Sequence, residues 1–479
     1  MKYSLIVFLL IAFSAQAKTW LVGPTRQYAV PSKVMPLVAD GDTVLIDSGL
    51  YVGDVGAWTN NNLVIRCPNG MARFNANGNI AQKKGIWVLA GNNTYVEGCE
   101  FYGAAIDSAD GDNGAGIRVG GNGLTCRRCY FHDNQEGILT ANDTANNNIL
   151  IEACEFDHNG VETGGLAGFE HNIYVGHSTS CTIKFCYFHR AIVGHEIKSR
   201  ANVNYILYNY IVDDTDGDGS YSIDLPNGGE SYVIGNAIEK GPNTQNPTAI
   251  TYGEEGLINP SSDFYFTSNT VVTDRHSSNF LYIAGGAVLP WIFNNIFAGQ
   301  AQFINANAPA LDSLKNVISA DTAFFHFRNV RAYNYHPMDS FPGLNDAEGF
   351  GTTGFYGFTL NAIAEYVHPL DSAVRNWESE IGAFNEISSS SAESEATPNI
   401  KLSNYPNPFS TETIIPLPPN TLGSLELFNL CGTRMDVKFE QIENGLVIER
   451  GNLPEGIYFY RITEGQKGTI AEGSIVIGN

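Results

Sequence analysis

Charge is scarce in this chain: Asp, Glu, Lys and Arg together make up 16% of 479 residues. What charge there is leans one way, with 50 acidic residues against 27 basic ones and a formal net charge of −23. The basic stripe that marks a nucleic-acid-binding surface is missing, so no DNA or RNA partner is expected. A local cationic groove remains compatible with that total, because global charge says little about one groove. Beyond the first residues there is no run of about 18 apolar residues, so no transmembrane segment is expected. The eight Cys do not cluster as in a small disulfide-stapled scaffold. No amphipathic helical pattern separates the short apolar runs. What is abundant is hydrophobic residues, at 43%, and Gly, at 50 residues. That composition is too apolar for disorder and too rich in Gly and Asn for a helical protein.

The opening MKYSLIVFLLIAFSAQA places Lys2 before an apolar run from Leu5 to Phe13 and ends in Ala15-Gln16-Ala17. This is the pattern of a secretory signal peptide over residues 1–17, too short and wrongly flanked for a membrane span. A soluble protein, secreted or at the cell surface, is therefore expected.

One short pattern recurs along the chain: VEGCEF, CRRCYF, IEACEF, IKFCYF, ILYNYI, VIGNAI, FTSNTV and IFNNIF. The column residues are Cys99, Cys129, Cys154, Cys186, Asn209, Asn236, Asn269 and Asn295, at gaps of 30, 25, 32, 23, 27, 33 and 26 residues. Twelve to nineteen residues ahead of each stands a second short strand, centred on Ile86, Ile117, Ile138, Ile173, Ile197, Ile223, Ile250 and Ile283. Each repeat thus holds at least two strands joined by Gly, Asn and Asp turns. The fold expected is all-β: a single-stranded, right-handed parallel β-helix whose coils stack about 4.8 Å apart. An Asn at the same point of each coil can bond to the next along the axis, with Cys filling the same slot as a small buried hydrophobe. Disulfides Cys126–Cys129 or Cys181–Cys186 are the alternative reading of that column.

On these residues the chain resembles the pectate-lyase-like family of right-handed β-helix proteins over roughly 18 to 385. DGDTVLIDSGLY at 40–51 is similar to a first coil of that family, and EIGAF at 380–384 to a common end of the array. The expected organisation is a β-helix over 18–386, a Ser/Glu-rich linker over 387–400, and a small β-sandwich over 401–479. That last part, with Tyr405-Pro406-Asn407-Pro408-Phe409 and GIYFYRI at 456–462, resembles the type IX secretion sorting domain. The resemblance implies the type IX export machinery as a partner and a tail that serves as an address.

Residues flanking an inward Ile point outward. By that parity Trp87, Arg118, Asn172, Tyr174, Glu196, Lys198 and Asp224 face solvent from one wall, with Arg200 at the end of the Lys198 strand. Such a ridge suits an exported polysaccharide-active protein. Trp87, Arg118, Asn172 and Tyr174 are the expected substrate-binding residues. Gly194-His195-Glu196-Ile197-Lys198-Ser199-Arg200 is similar to the motif of β-helix lyases such as chondroitinase B and the alginate lyases. That resemblance implies β-elimination on a uronate-containing polysaccharide, with Lys198 as base and Glu196 with Asn172 as Ca²⁺ ligands. Arg200 is the local candidate for the acid. Glu196 with Asp224 would instead supply the carboxyl pair of a glycoside hydrolase, epimerisation is a further possibility, and a non-catalytic glycan-binding or adhesive surface is the third reading. His171 and His195, each two residues before the central Ile, form a candidate proton relay. Asp214, Asp216 and Asp218 match the DxDxDG core of a Ca²⁺ loop, although Leu225 stands at position twelve; Asp107, Asp110 and Asp112 form a looser cluster. No organic cofactor is expected, and the protein is expected to be a monomer.

Overall fold

The computed structural model describes residues 17–385, apart from 144–146, 164–166, 306, 339, 342, 344–345, 350–359 and 376–379, and most of 404–478. The expected signal peptide, but for Ala17, and the linker lie outside the described residues. Between Thr19 and Ser319 the chain winds as a parallel β-helix with three walls, so each regular coil contributes three strands. The first wall is a 12-stranded parallel sheet that starts at Thr19–Val22 and ends at Asp312–Leu314. The second starts at Gly49–Val52 and includes Cys99–Tyr102, Tyr130–His132 and Tyr210–Val212. The third includes Gly85–Leu89, Ala115–Val119, Glu136–Thr140, Ile173–Val175, Ile197–Ser199, Ile223–Leu225 and Thr248–Tyr252.

Period-two alternation sends every second side chain of each wall towards a common core. On the second wall Phe74, Phe101, Phe131, Phe156 and Phe188 stack with ring centroids 4.6 to 5.3 Å apart. On the third, Ile117, Ile138, Ile173, Ile197, Ile223 and Ile250 follow one another in register, all fully buried.

The corner between first and second walls is a single residue in the left-handed region: Gly98, Arg128, Ala153, Phe185, Tyr208, Gly235, Ser268, Asn294 and Lys315, with φ from 48 to 77°. Only two of these are Gly, and each of the others costs about 1 kcal/mol or more to hold there. The next residue in every case is the Cys/Asn column. Asn209 Nδ2 donates to Asn236 Oδ1 at 3.0 Å, Asn236 to Asn269 at 3.0 Å, Asn269 to Asn295 at 3.1 Å, and Asn295 to Asn316 at 2.9 Å. Each also donates to a carbonyl of the first wall, as Asn236 Nδ2 does to Ile206 O at 2.8 Å. The ladder therefore satisfies amides and carbonyls that the tight corner leaves unpaired.

All seven described cysteines are free. The alternative disulfides are not formed, because Cys126 and Cys181 point inward from the first wall whereas Cys129 and Cys186 stand in the corner column. In that column thiols act as weak acceptors, with Cys154 N reaching Cys186 Sγ at 3.4 Å and Cys186 N already bound to Asn209 Oδ1 at 3.0 Å.

The coils stop at Ser319. Phe325, Tyr335, Phe341, Ile381 and Phe384 from the remainder pack on the outer side of the second wall, against Tyr210, Val272 and Ile296. EIGAF thus adds no coil; Gly382 N donates to Asn294 O and Ala383 N to Thr270 Oγ1. The tail forms two antiparallel sheets of three and four strands around Leu427, Leu446, Ile448, Tyr460 and Ile475. Among the described residues no helix is long and apolar enough to cross a membrane.

Replacing Asn236 by Ala orphans the Asn209 amide and Ile206 O and takes one hydrogen bond each from the Asn209 and Asn269 side chains. The expected cost is about 3 kcal/mol, measured as a lower urea midpoint, whereas Cys154→Ala is expected to cost less.

Candidate functional site

The third wall carries an outward column in which Arg118, Leu139, Tyr174, Lys198, Asp224 and Thr251 follow in register on successive coils. Lys198 Nζ lies 3.1 Å from Asp224 Oδ2 and 3.3 Å from Glu255 Oε1. Asp224 accepts Thr251 Oγ1 at 2.7 Å on its other oxygen, and His195 Nε2 stands 3.4 Å from Oδ2. Burial pushes the Asp224 carboxyl up, against the opposing pull of Lys198 and Thr251. Arg200, at the strand's end, donates from Nε to the Tyr174 hydroxyl at 2.7 Å and from Nη1 to Asn227 Oδ1 at 2.6 Å. Its Nη2 lies 2.7 Å from Glu255 Oε2. Burial would raise the Glu255 carboxyl, but the hydrogen bonds from Arg200 and the charge of Lys198 hold it below its usual value. Lys198 was expected to be exposed; it is 7% exposed, because these partners close around it.

His171 and His195 stack face to face, with centroids 4.4 Å apart, and Tyr221 stacks on His195 at 4.9 Å. Glu136, His171 and His195 each receive the backbone N–H of the next coil: His171 N to Glu136 Oε2 at 3.2 Å, His195 N to His171 Nδ1 at 3.0 Å, and Tyr221 N to His195 Nδ1 at 3.2 Å. An Nδ1 that accepts an amide leaves the proton on Nε2. Burial, then the neighbouring cations, pushes both imidazoles well below the ordinary histidine value. The pair therefore consists of neutral rings that brace the coils, with His195 turned towards Asp224.

Asn172 and Glu196 do not face solvent. Asn134 Nδ2 donates to Asn159 Oδ1 at 3.0 Å, Asn159 Nδ2 to Asn172 Oδ1 at 2.7 Å, and Asn172 Nδ2 to Glu196 Oε2. Glu196 Oε1 accepts Ala191 N at 2.9 Å. This is a second internal ladder, at the corner before the third wall. Strand parity fails there because the strands begin only at Ile173 and Ile197, and the preceding residue is still in the bend. Both Glu196 oxygens already accept N–H donors, and burial with the nearby Asp213 pushes its carboxyl well above the usual range. The donor set does not fit a Ca²⁺ ion, and Glu196 cannot pair with Asp224 across the wall as a hydrolase would need.

Trp87 also points inward. It pairs in register with Ile117 and packs against Phe74 and Phe101, so it offers no stacking face. The DxDxDG segment lies on another corner: Asp218 accepts Val193 N at 3.0 Å, Asp216 sits 3.9 Å from Arg190 Nη1, and Asp214 N donates to Glu239. Among the described residues no three His, Cys, Asp or Glu side chains converge as metal ligands. Arg118 stays on the outer column, roughly 14 Å from Lys198 at the usual strand spacing, with its Nη1 buried and unpartnered.

Sequence reasoning missed Asn227, Tyr221 and Glu255. Asn227 and Glu255 lie in turns just past third-wall strands, in Pro226-Asn227-Gly228-Gly229 and Gly253-Glu254-Glu255-Gly256. Two acidic residues between glycines, following the strand that carries Thr251, were the available signal.

Residues 403–477 match the model of the secretion system C-terminal sorting domain. That match covers the tail and supports export of the chain. No curated protein matches the sequence. Among solved structures, a pectate lyase is similar at 13% identity, covering 78% of this chain and 97% of its own, with a TM-score of 0.49. A PL6 family polysaccharide lyase from Pseudopedobacter saltans is similar at 13% identity, covering 61% and 91%, with a TM-score of 0.36. Both likenesses concern the fold, and no residue role is taken from them.

Imidazole NMR tests the histidine assignment directly. His171 and His195 are expected to keep the neutral Nε2–H form at roughly pH 5.5, below the ordinary histidine value; a protonated ring at that pH would contradict the stacked, amide-accepting geometry.

Proposed function

We propose that the protein cleaves a uronate-containing polysaccharide by β-elimination on the outer face of the third wall. The observation that carries this reading is the convergence of Lys198, Arg200 and Tyr174 on the outer column of the third wall. Abstracting a proton alpha to a carboxylate needs a base beside the carbon and a cation on the carboxylate, where charge accumulates. In this reading Arg200 binds the uronate carboxylate, and Lys198, after passing a proton to the adjacent Asp224, whose carboxyl burial pushes up, takes the C5 proton. The electron pair moves to form the C4–C5 double bond as the C4–O bond breaks. The departing oxygen takes a proton from the Tyr174 hydroxyl, whose oxygen adjoins the Arg200 cation. Asp224, held by Thr251 and His195, fixes the position of Lys198. Arg118 meets a second anionic unit further along the column. No step passes through a metal.

Incubation with polygalacturonate, alginate and glucuronate-containing glycans tests the reading through the absorbance of the unsaturated product. Lys198→Ala is expected to lower kcat by about a thousandfold with an unchanged circular dichroism spectrum, since Asp224 keeps two other partners. New reducing ends without that absorbance would replace elimination by hydrolysis.

A further inference from the structure

Arg200 and Lys198 are not free in this structure: one carboxylate of the chain itself, Glu255, lies between them. Arg200 Nη2 meets Oε2 at 2.7 Å and Oε1 at 3.0 Å, and Lys198 Nζ meets Oε1 at 3.3 Å. Asn227 and Tyr174 hold the guanidinium from the other side, through Nη1 and Nε. One face of the cradle is thus fixed by neutral partners, and Nη2 with the Lys198 ammonium is left to hold a carboxylate through charge-assisted hydrogen bonds.

Glu255 differs from the other carboxylate at the site. Asp224 is 2% exposed and tied to Thr251 and Lys198, whereas the Glu255 side chain is 47% exposed. Its turn is anchored independently of its side chain. Glu255 N donates to Pro226 O at 3.0 Å, Leu257 packs on the core, and Asn259 Nδ2 donates to Ala201 O at 2.9 Å and Gly228 O at 3.2 Å. A rotation of the Glu255 side chain into solvent would therefore expose Arg200 Nη2 and Lys198 Nζ together, with no movement of the backbone.

We propose that Glu255 is a resident placeholder for the ligand's carboxylate, and that an anionic sugar binds by displacing it from Arg200 and Lys198. This rests on the reading that the column binds uronates. Two consequences follow from the geometry. In the absence of ligand the half-buried guanidinium keeps a charged partner, and the buried ammonium keeps a second one beside Asp224. Neutral sugars gain nothing at this point, because they cannot replace the ion pairs that Glu255 would give up. Displacement also releases Lys198 Nζ from one of its two carboxylates.

The test is calorimetric titration of the full chain with galacturonate, mannuronate and glucuronate trimers, and with cellotriose as the neutral control. Glu255→Gln is expected to bind one of the uronate trimers about fivefold more tightly than the parent, with cellotriose unchanged. Arg200→Ala in that background is expected to abolish the gain. Unchanged or weaker uronate binding by Glu255→Gln at an unaltered melting temperature would overturn the proposal, as would the absence of uronate binding by either protein. A gain in affinity without unsaturated product from any polymer would keep the placeholder and remove the elimination reading.

Discussion

The structure depends on how each coil turns its corners. A parallel coil must reverse direction within one or two residues while its neighbours sit only about 4.8 Å above and below. The backbone groups at the corner then face the interior, where water cannot reach them. Seven of the nine first corners place a residue other than Gly in the left-handed region, and the cost recurs at each coil. The Asn column offsets it by pairing amides and carbonyls of successive coils. Where Cys replaces Asn the hydrogen bonds are weaker, but the stacked Phe101, Phe131, Phe156 and Phe188 rings lie on those same coils. Aromatic packing and the polar ladder thus divide the axis between them.

The same rule explains the candidate site. Side chains at or just before the start of the third-wall strands fall at the next corner, and there too side-chain acceptors tie the corner together. Asn172 and Glu196 serve the inner line; Glu136, His171 and His195 serve the outer one. Only from Ile173 and Ile197 onward does the strand hold its side chains to two faces, and so on these two coils it is Tyr174, Lys198 and Arg200 that lie on the outer face.

The repeat was legible because the Cys/Asn column and the Ile column are spaced by geometry common to every coil, and ragged loops do not disturb them. Tyr174, Lys198 and Asp224 were legible for the same reason, since each follows its inward Ile by one residue. Asn172, Glu196 and Trp87 were misplaced by a parity rule carried past its range. For the first two the strand had not begun. For Trp87 the strand is shifted by one residue, and a one-residue shift exchanges the two faces. Glu255 was invisible to that rule altogether, because a turn residue belongs to no face until the turn has been built.

The ion pairs at the site set two cations, Lys198 and Arg200, against two carboxylates, Asp224 and Glu255. In a chain of net charge −23, a groove for an anionic polymer needs cations held close together and partly out of water, which repel one another and lose solvation. Asp224 relieves Lys198 from below, where no ligand can reach. Glu255 relieves both Lys198 and Arg200 from the solvent side, where a ligand must arrive. A carboxylate placed below stabilises the cation permanently; one placed above must compete with the incoming anion. Because the upper carboxylate is half exposed while the lower one is buried, only the upper one can leave the cations by a rotation of its side chain alone.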